Sequence, residues 1–199
     1  MVFKITINRL RVTLPGHEKG EYMTDSALKI SDFIRPDCIF LGVDLPDKEA
    51  VLRFLAEQSR DRGLVADADK LFAGFKAREE SMSTGVGSGL AFPHTLTDER
   101  DESAVLIVRL SRGLDYGSLD DKEVNVVFAV LIPESNQTQH LQILARVSRM
   151  CRKSEFIRAV SLARDPQSLK TAIENIEQDF CGCAYQSKPP RKQELEAGF

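Results

Sequence analysis

Ser83-Thr84-Gly85-Val86-Gly87-Ser88-Gly89-Leu90-Ala91-Phe92-Pro93-His94 is the most unusual run in this 199-residue chain. Three alternating glycines are followed by a short apolar stretch, then a proline that fixes the backbone directly before a histidine. Glycines at this density let backbone amides approach a ligand closely, and amides lining a turn suit an anion such as phosphate. The spacing is neither the dinucleotide fingerprint G-x-G-x-x-G nor a P-loop, because no Gly-Lys-Ser/Thr follows. The run ends on an imidazole, which serves as nucleophile, base or ligand near neutral pH. A plain loop feeding a buried strand, with His94 as a capping residue, is the competing reading.

Outward from this run, the chain alternates helical and strand patterns. Ala104–Leu110 and Val124–Ile132 are almost wholly apolar and rich in β-branched residues, which predicts strands covered on both faces. Cys38–Val43 reads as a third apolar strand, after a short amphipathic turn through Leu28, Ile30, Phe33 and Ile34 that stops at Pro36. Asp47 and Asp67 are cap candidates for two helices before the glycine run, the first burying Val51, Phe54 and Leu55, the second Leu71, Phe72 and Phe75. A later helix over about 137–152 carries Ile143, Leu144, Val147, Met150 and Cys151 on one stripe; Arg146, Arg149, Arg152 and Lys153 read as its solvated face. Two shorter helices follow near 154–163 and 166–176. The expectation is an α/β fold, a mixed central β-sheet flanked by helices on both faces.

Composition narrows the function. With 42% hydrophobic and 29% charged residues the chain can bury one sizeable core, and a net charge of −3 argues against nucleic acid as the main partner. No apolar run approaches the roughly 20 residues of a membrane span, and no signal-peptide pattern opens the sequence, so a soluble cytoplasmic protein is expected. Four cysteines, Cys38, Cys151, Cys181 and Cys183, are too scattered for a disulfide framework, and no Cys/His partner with metal spacing stands near the last two. Residues 1–22, with strand-like alternation at Phe3, Ile5 and Ile7 and an idle His17, read as an N-terminal extension; residues 181–199 read as a polar C-terminal tail around a domain over 23–180.

Three residues recur at core-facing positions. Arg78 prolongs the apolar stripe of its helix, three residues after Phe75, and His140 heads the stripe of the later helix, near unpaired first-turn amides. Each has a bland explanation: a helix-dipole partner for Arg78, a hydrogen-bonded core histidine for His140. Together with His94 they offer two imidazoles, a guanidinium and a row of amides, a set suited to a dianionic phosphoryl group. Zinc fits poorly because no third ligand has metal spacing, and no G-x-S-x-G elbow supports a serine hydrolase.

Ser83–His94, preceded by Arg78-Glu79-Glu80 and followed by Leu119-Asp120-Asp121-Lys122-Glu123-Val124 and His140-Leu141, resembles the phosphorylation-site pattern of enzyme IIA domains of the bacterial phosphotransferase system, the fructose/mannitol/nitrogen-regulatory type. The resemblance covers roughly residues 25–177. It implies that His94 accepts a phosphoryl group from an HPr-like carrier and that Arg78 and His140 stabilise the transferring charge; the amides of Thr84, Gly85, Gly87, Ser88 and Gly89 are the candidates to bind the remaining phosphoryl oxygens. It implies no metal and no organic cofactor. Thr95-Leu96 stand where glycine and a basic residue usually follow the histidine, and Phe92 replaces a smaller aliphatic residue; both alter the rim a partner reads. Three roles stay open: a nitrogen-type regulatory IIA, a sugar-transport IIA passing phosphoryl to an enzyme IIB cysteine, and a binding module whose partners depend on His94 phosphorylation.

Overall fold

The computed structural model describes residues 28–182. The strand-like alternation near the N-terminus, His17 and the tail with Cys183 lie outside the described residues.

Apolar alternation builds the sheet. In β5 (Ala104–Leu114) Val105 and Ile107 face one way, Leu106 and Val108 the other, and all four are fully buried. β6 (Val124–Pro133) divides likewise: Val127, Ala129 and Leu131 on one face, Phe128, Val130 and Ile132 on the other. The predicted two-sided burial is therefore what the structure has. β1 (Ile34–Val43) pairs parallel with β5, β5 antiparallel with β6, and β6 parallel with both β3 (Leu90–Ala91) and β4 (His94–Thr97). β2 (Gly85–Gly87) completes a mixed sheet of order β1-β5-β6-β3-β2, with β4 on the same side of β6 as β3.

One face is covered by α1 (Lys48–Asp61) and α2 (Ala68–Ser81), through Val51, Leu55, Leu71 and Phe75. The predicted caps hold: Asp47 accepts from the Ala50 amide at 2.8 Å, and Asp67 from the amides of Asp69 and Lys70. The other face is covered by α3 (Gln137–Met150), α4 (Ser154–Leu162) and α5 (Pro166–Gly182), with Ile143, Val147, Phe156, Leu169 and Ile173 packed on Phe128 and Val130. No helix among the described residues is long and apolar enough to cross a membrane.

Three expectations are corrected. β1 begins at Ile34, not Cys38, and runs through Pro36, because it is an edge strand whose register shifts between Ile34 and Ile39; a missing N–H on the unpaired edge forfeits no ladder bond. The glycine run is a hairpin, not an open loop: Gly87 pairs with Leu90 across a two-residue turn in which Ser88 (φ 57°) and Gly89 (φ 77°) are both left-handed, the conformation that suits strand twist. Arg146 is buried, not solvated. It follows Ile143 by three residues and precedes Met150 by four, which puts it on the flank of the buried stripe, 3.6 Å from the fully buried carboxylate of Glu177. Glu177 also accepts the backbone N–H groups of Ile30 (2.7 Å) and Ser31 (2.9 Å) at the start of the 3-10 turn Ile30–Phe33. One carboxylate thereby ties α5 to α3 and to the chain ahead of β1.

Candidate functional site

A break between two strands exposes His94 to both helical layers. β3 and β4 lie in line on β6, with Ala91 opposite Val127 and His94 opposite Val130; between them Pro93 has no N–H to donate. The Pro93 carbonyl still accepts from the Val130 amide at 2.9 Å, so the chain stays on the sheet while the ladder is interrupted. Pro93 itself is buried and His94 is half-buried.

Hydrogen bonding fixes the imidazole in one tautomer. Nδ1 is 2.9 Å from the Phe92 carbonyl oxygen, which can only accept; Nε2 is 2.9 Å from Arg78 Nε, which can only donate. The proton therefore resides on Nδ1 and the lone pair on Nε2. Burial pushes the His94 pKa below the ordinary imidazole value; the Phe92 carbonyl opposes that shift, while Arg78 and His140 add to it. His94 is thus held neutral and nucleophilic near pH 7.

Arg78, in the last turn of α2, answers to both expectations placed on it. Its Nη1 donates to the Met82 carbonyl at 2.9 Å, as a C-terminal helix partner should, while its Nε reaches His94. His140 arrives from the opposite face of the sheet. The α3 N-terminus is capped by Asn136, whose side chain accepts from the Gln139 amide at 3.1 Å, and this presents the His140 ring 5.4 Å from that of His94. His140 Nε2 is buried and has no hydrogen-bond partner among the described residues. Its pKa is pushed down by burial and then by Arg78. All three predicted charge-handling residues are brought together.

Of the five hairpin residues, the tip Gly87, Ser88 and Gly89 stands apart from these three. Thr84 lies alongside Phe92, whose amide donates to the Thr84 carbonyl at 2.9 Å, and Gly85 is opposite Ala91. The tip is elsewhere: the Gly89 carbonyl accepts from the amides of Asn125 and Val126, four residues of strand from Val130, or about 13 Å from the His94 backbone. The Ser88 amide donates to the Asp120 carboxylate at 3.0 Å, and a side chain at Gly87 would meet that same carboxylate at 3.0 Å. The Ser88 amide thus serves a protein carboxylate.

Sequence reasoning assigned no role to Glu79. Only 8% exposed, it accepts from the Thr84 amide (3.0 Å) and hydroxyl (2.5 Å) and pairs with Lys48 Nζ (3.3 Å), which also donates to the Tyr116 carbonyl. The signal available was its position, one residue past Arg78 and one turn of helix beyond Phe75.

Residues 32–176 match the family described as phosphoenolpyruvate-dependent sugar phosphotransferase system, EIIA 2. The chain belongs to this family. Among its relatives, the fructose-specific EIIA component of Haloferax volcanii is 30% identical over 129 residues, covering 65% of this chain and 84% of that protein. A nitrogen regulatory protein of Bradyrhizobium diazoefficiens is 29% identical over 147 residues, covering 73% and 95%. The crystal structure of the nitrogen regulatory protein IIA-Ntr from Neisseria meningitidis superposes with a TM-score of 0.67 at 20% identity, over 72% of this chain and 98% of that one. This EIIA 2 chain therefore has the family's mixed sheet, and it has a phosphotransfer role as a member of a phosphotransferase-system family.

Proposed function

We propose that this EIIA 2 chain is a phosphocarrier in which His94 Nε2 accepts a phosphoryl group from an HPr-like donor. The observation that carries the proposal is the pair of opposed hydrogen bonds on one imidazole, Phe92 carbonyl to Nδ1 and Arg78 to Nε2, which leaves the lone pair on the nitrogen that the guanidinium faces. In the transfer, the Nε2 lone pair attacks phosphorus as the donor's P–N bond breaks, and the donor imidazole leaves with that electron pair. Arg78 exchanges its bond to Nε2 for the phosphoryl oxygens. His140, with a buried unpartnered nitrogen, supplies a second contact to them. Thr84, Gly85, Gly87, Ser88 and Gly89 act by shaping the hairpin that holds Phe92 and His94. Neither a metal nor an organic cofactor enters the scheme.

The face around the imidazole suits a protein donor. Each site residue has an exposed apolar neighbour: Met82 beside Arg78, Leu96 two residues along the strand from His94, and Leu141 next to His140, at 65%, 44% and 71% exposure. Met82, Leu96 and Leu141 can seal against a partner's apolar surface and exclude water from the transfer. We read the chain as a nitrogen-type regulatory IIA working in the cytoplasm, with 23–180 as the phosphocarrier unit between an extension and a tail. The fructose-specific relative favours a second reading, onward transfer to a IIB cysteine.

Incubation with phosphoenolpyruvate, enzyme I and HPr, or a nitrogen-branch donor, should give an acid-labile, base-stable phosphate that His94→Ala lacks. No label in wild type with either donor, or label persisting in His94→Ala, overturns the proposal. Onward passage of label to a IIB protein and sugar selects transport; retention on the chain selects regulation.

A further inference from the structure

The hydrogen bonds around His94 close on themselves. Starting at α2, the Glu79 carboxylate accepts the Thr84 amide and hydroxyl at 3.0 and 2.5 Å. The Thr84 carbonyl accepts the Phe92 amide at 2.9 Å, and the Phe92 carbonyl accepts His94 Nδ1–H at 2.9 Å. His94 Nε2 then accepts Arg78 Nε–H at 2.9 Å, and Arg78 is the residue covalently joined to Glu79. The ring begins and ends on one peptide unit of α2. Every member between is held from both sides, so the position of the Phe92 carbonyl, which selects the imidazole tautomer, is referred back to the helix that carries the guanidinium.

Glu79 is an expensive residue for a purely structural link. Its side chain is 6% exposed, and its cationic partner among the described residues, Lys48, stands 3.3 Å away with 36% of its side chain exposed. Removing a carboxylate from water carries a desolvation penalty that a single ion pair of this kind does not fully offset. Thr84, in turn, gives Glu79 both of its donors, a bidentate hold that fixes the backbone as well as the side chain at the point where the chain leaves Met82 for β2. The carboxylate also faces the imidazole electrostatically, opposing the depression of its pKa.

We propose that Glu79, braced by Lys48, is a positioning residue for phosphoryl transfer: it holds Thr84, and through Phe92 it keeps the His94 proton on Nδ1 and the lone pair on Nε2 beside Arg78. The inference rests on the phosphocarrier reading for its rate effect but not for its effect on the tautomer. Both Thr84 bonds fall on one oxygen, Oε2, so the carbonyl oxygen of a glutamine can accept the Thr84 amide and hydroxyl alike, whereas alanine cannot.

The experiment compares wild type, Glu79→Ala, Glu79→Gln and Thr84→Val by two measurements. Long-range nitrogen-15 NMR of the His94 ring reports the tautomer, and single-turnover transfer from phospho-HPr reports the rate. In Glu79→Ala the population with the proton on Nδ1 falls, and the first-order rate drops about tenfold or more with half-saturating donor unchanged, as a displaced reacting group should produce. Glu79→Gln recovers most of both. Thr84→Val, which is near-isosteric and keeps the amide arm, gives a smaller shift in the same direction, and it decides the matter if Glu79→Ala does not fold. An unchanged His94 spectrum in folded Glu79→Ala, or in Thr84→Val where the former fails to fold, overturns the inference. So does a Glu79→Gln deficit as large as that of Glu79→Ala. A wild type that takes no phosphoryl group refutes the phosphocarrier reading instead, and the NMR comparison still decides the role of Glu79.

Discussion

Arg78→Gln separates a guanidinium that serves the chemistry from one that merely finishes a helix. The substitution keeps good helix propensity and removes the charge, the Nε–His94 bond at 2.9 Å and the Nη1–Met82 bond at 2.9 Å. A hydrogen bond from a charged donor contributes about 1.5–3 kcal/mol, and a half-buried one belongs toward the lower half of that range, near 2 kcal/mol. If the bond is redirected to the phosphoryl oxygens in the transition state, its loss slows transfer about thirtyfold. Stability should fall by no more than about 3 kcal/mol, since the half-buried bond to His94 and the exposed bond to the Met82 carbonyl are both present in the resting fold. Both histidines are depressed first by burial and then in part by Arg78, so the NMR titration midpoints of His94 and His140 should both rise. The assay is single-turnover transfer from phospho-HPr, with the titration and a urea unfolding curve on the same protein. A rate within about threefold of wild type with both midpoints unmoved would refute the argument and leave Arg78 as a helix-end partner alone.

Gly74 is where α2 comes closest to β4: a Cβ there would lie 2.5 Å from Thr95 Oγ1. Gly74→Ala should therefore forfeit the usual gain of about 1 kcal/mol for alanine in a helix and destabilise instead, while Thr95→Ala restores the gain; a stabilised single variant in urea unfolding contradicts the contact. The pH dependence has a definite sign. Because folding lowers the pKa of His94 and His140, the unfolded chain binds more protons between the depressed values and the ordinary one near 6.5, so their contribution is present above about pH 6.5 and is lost as pH falls through the folded values. Urea midpoints of wild type should drop more than those of His140→Asn below pH 6.5, and equal slopes would contradict it.

How much of this was legible in the sequence depended on whether a residue's role was local. β5 and β6 were legible because two-sided burial needs only an apolar run, and the caps at Asp47 and Asp67 because capping is decided within four residues. Arg78, His94 and His140 were legible as core-facing polar residues, since stripe spacing is a local property. What failed was set by partners distant in the chain. Pro36 reads as a stop until β1 is known to be an edge strand. Arg146 reads as solvated until Glu177, 31 positions later, arrives beside it. The hairpin amides read as an anion cradle until Asp120 claims the one at Ser88.

On the proposed phosphocarrier role, there is a reason for the site to pair one permanent cation with two depressed imidazoles. A carrier has to give up the phosphoryl group as readily as it takes it, so a cluster of fixed cations would trap the dianion. Arg78 supplies the full positive charge that touches His94, and its two anchors, on Met82 and His94, keep it in place before any phosphoryl group arrives. His94 and His140 are kept neutral by burial first and by Arg78 in addition, which leaves one imidazole free to attack and the other free to donate or to accept a proton. In open solvent such an arrangement stabilises a dianion weakly, because water screens a lone guanidinium. Covering Met82, Leu96 and Leu141 with a partner's apolar surface removes that water and strengthens the same contacts without adding a charge. On that proposal, transfer is fast only inside a docked complex, which is the behaviour that keeps a phosphoryl group on its route between proteins and away from water.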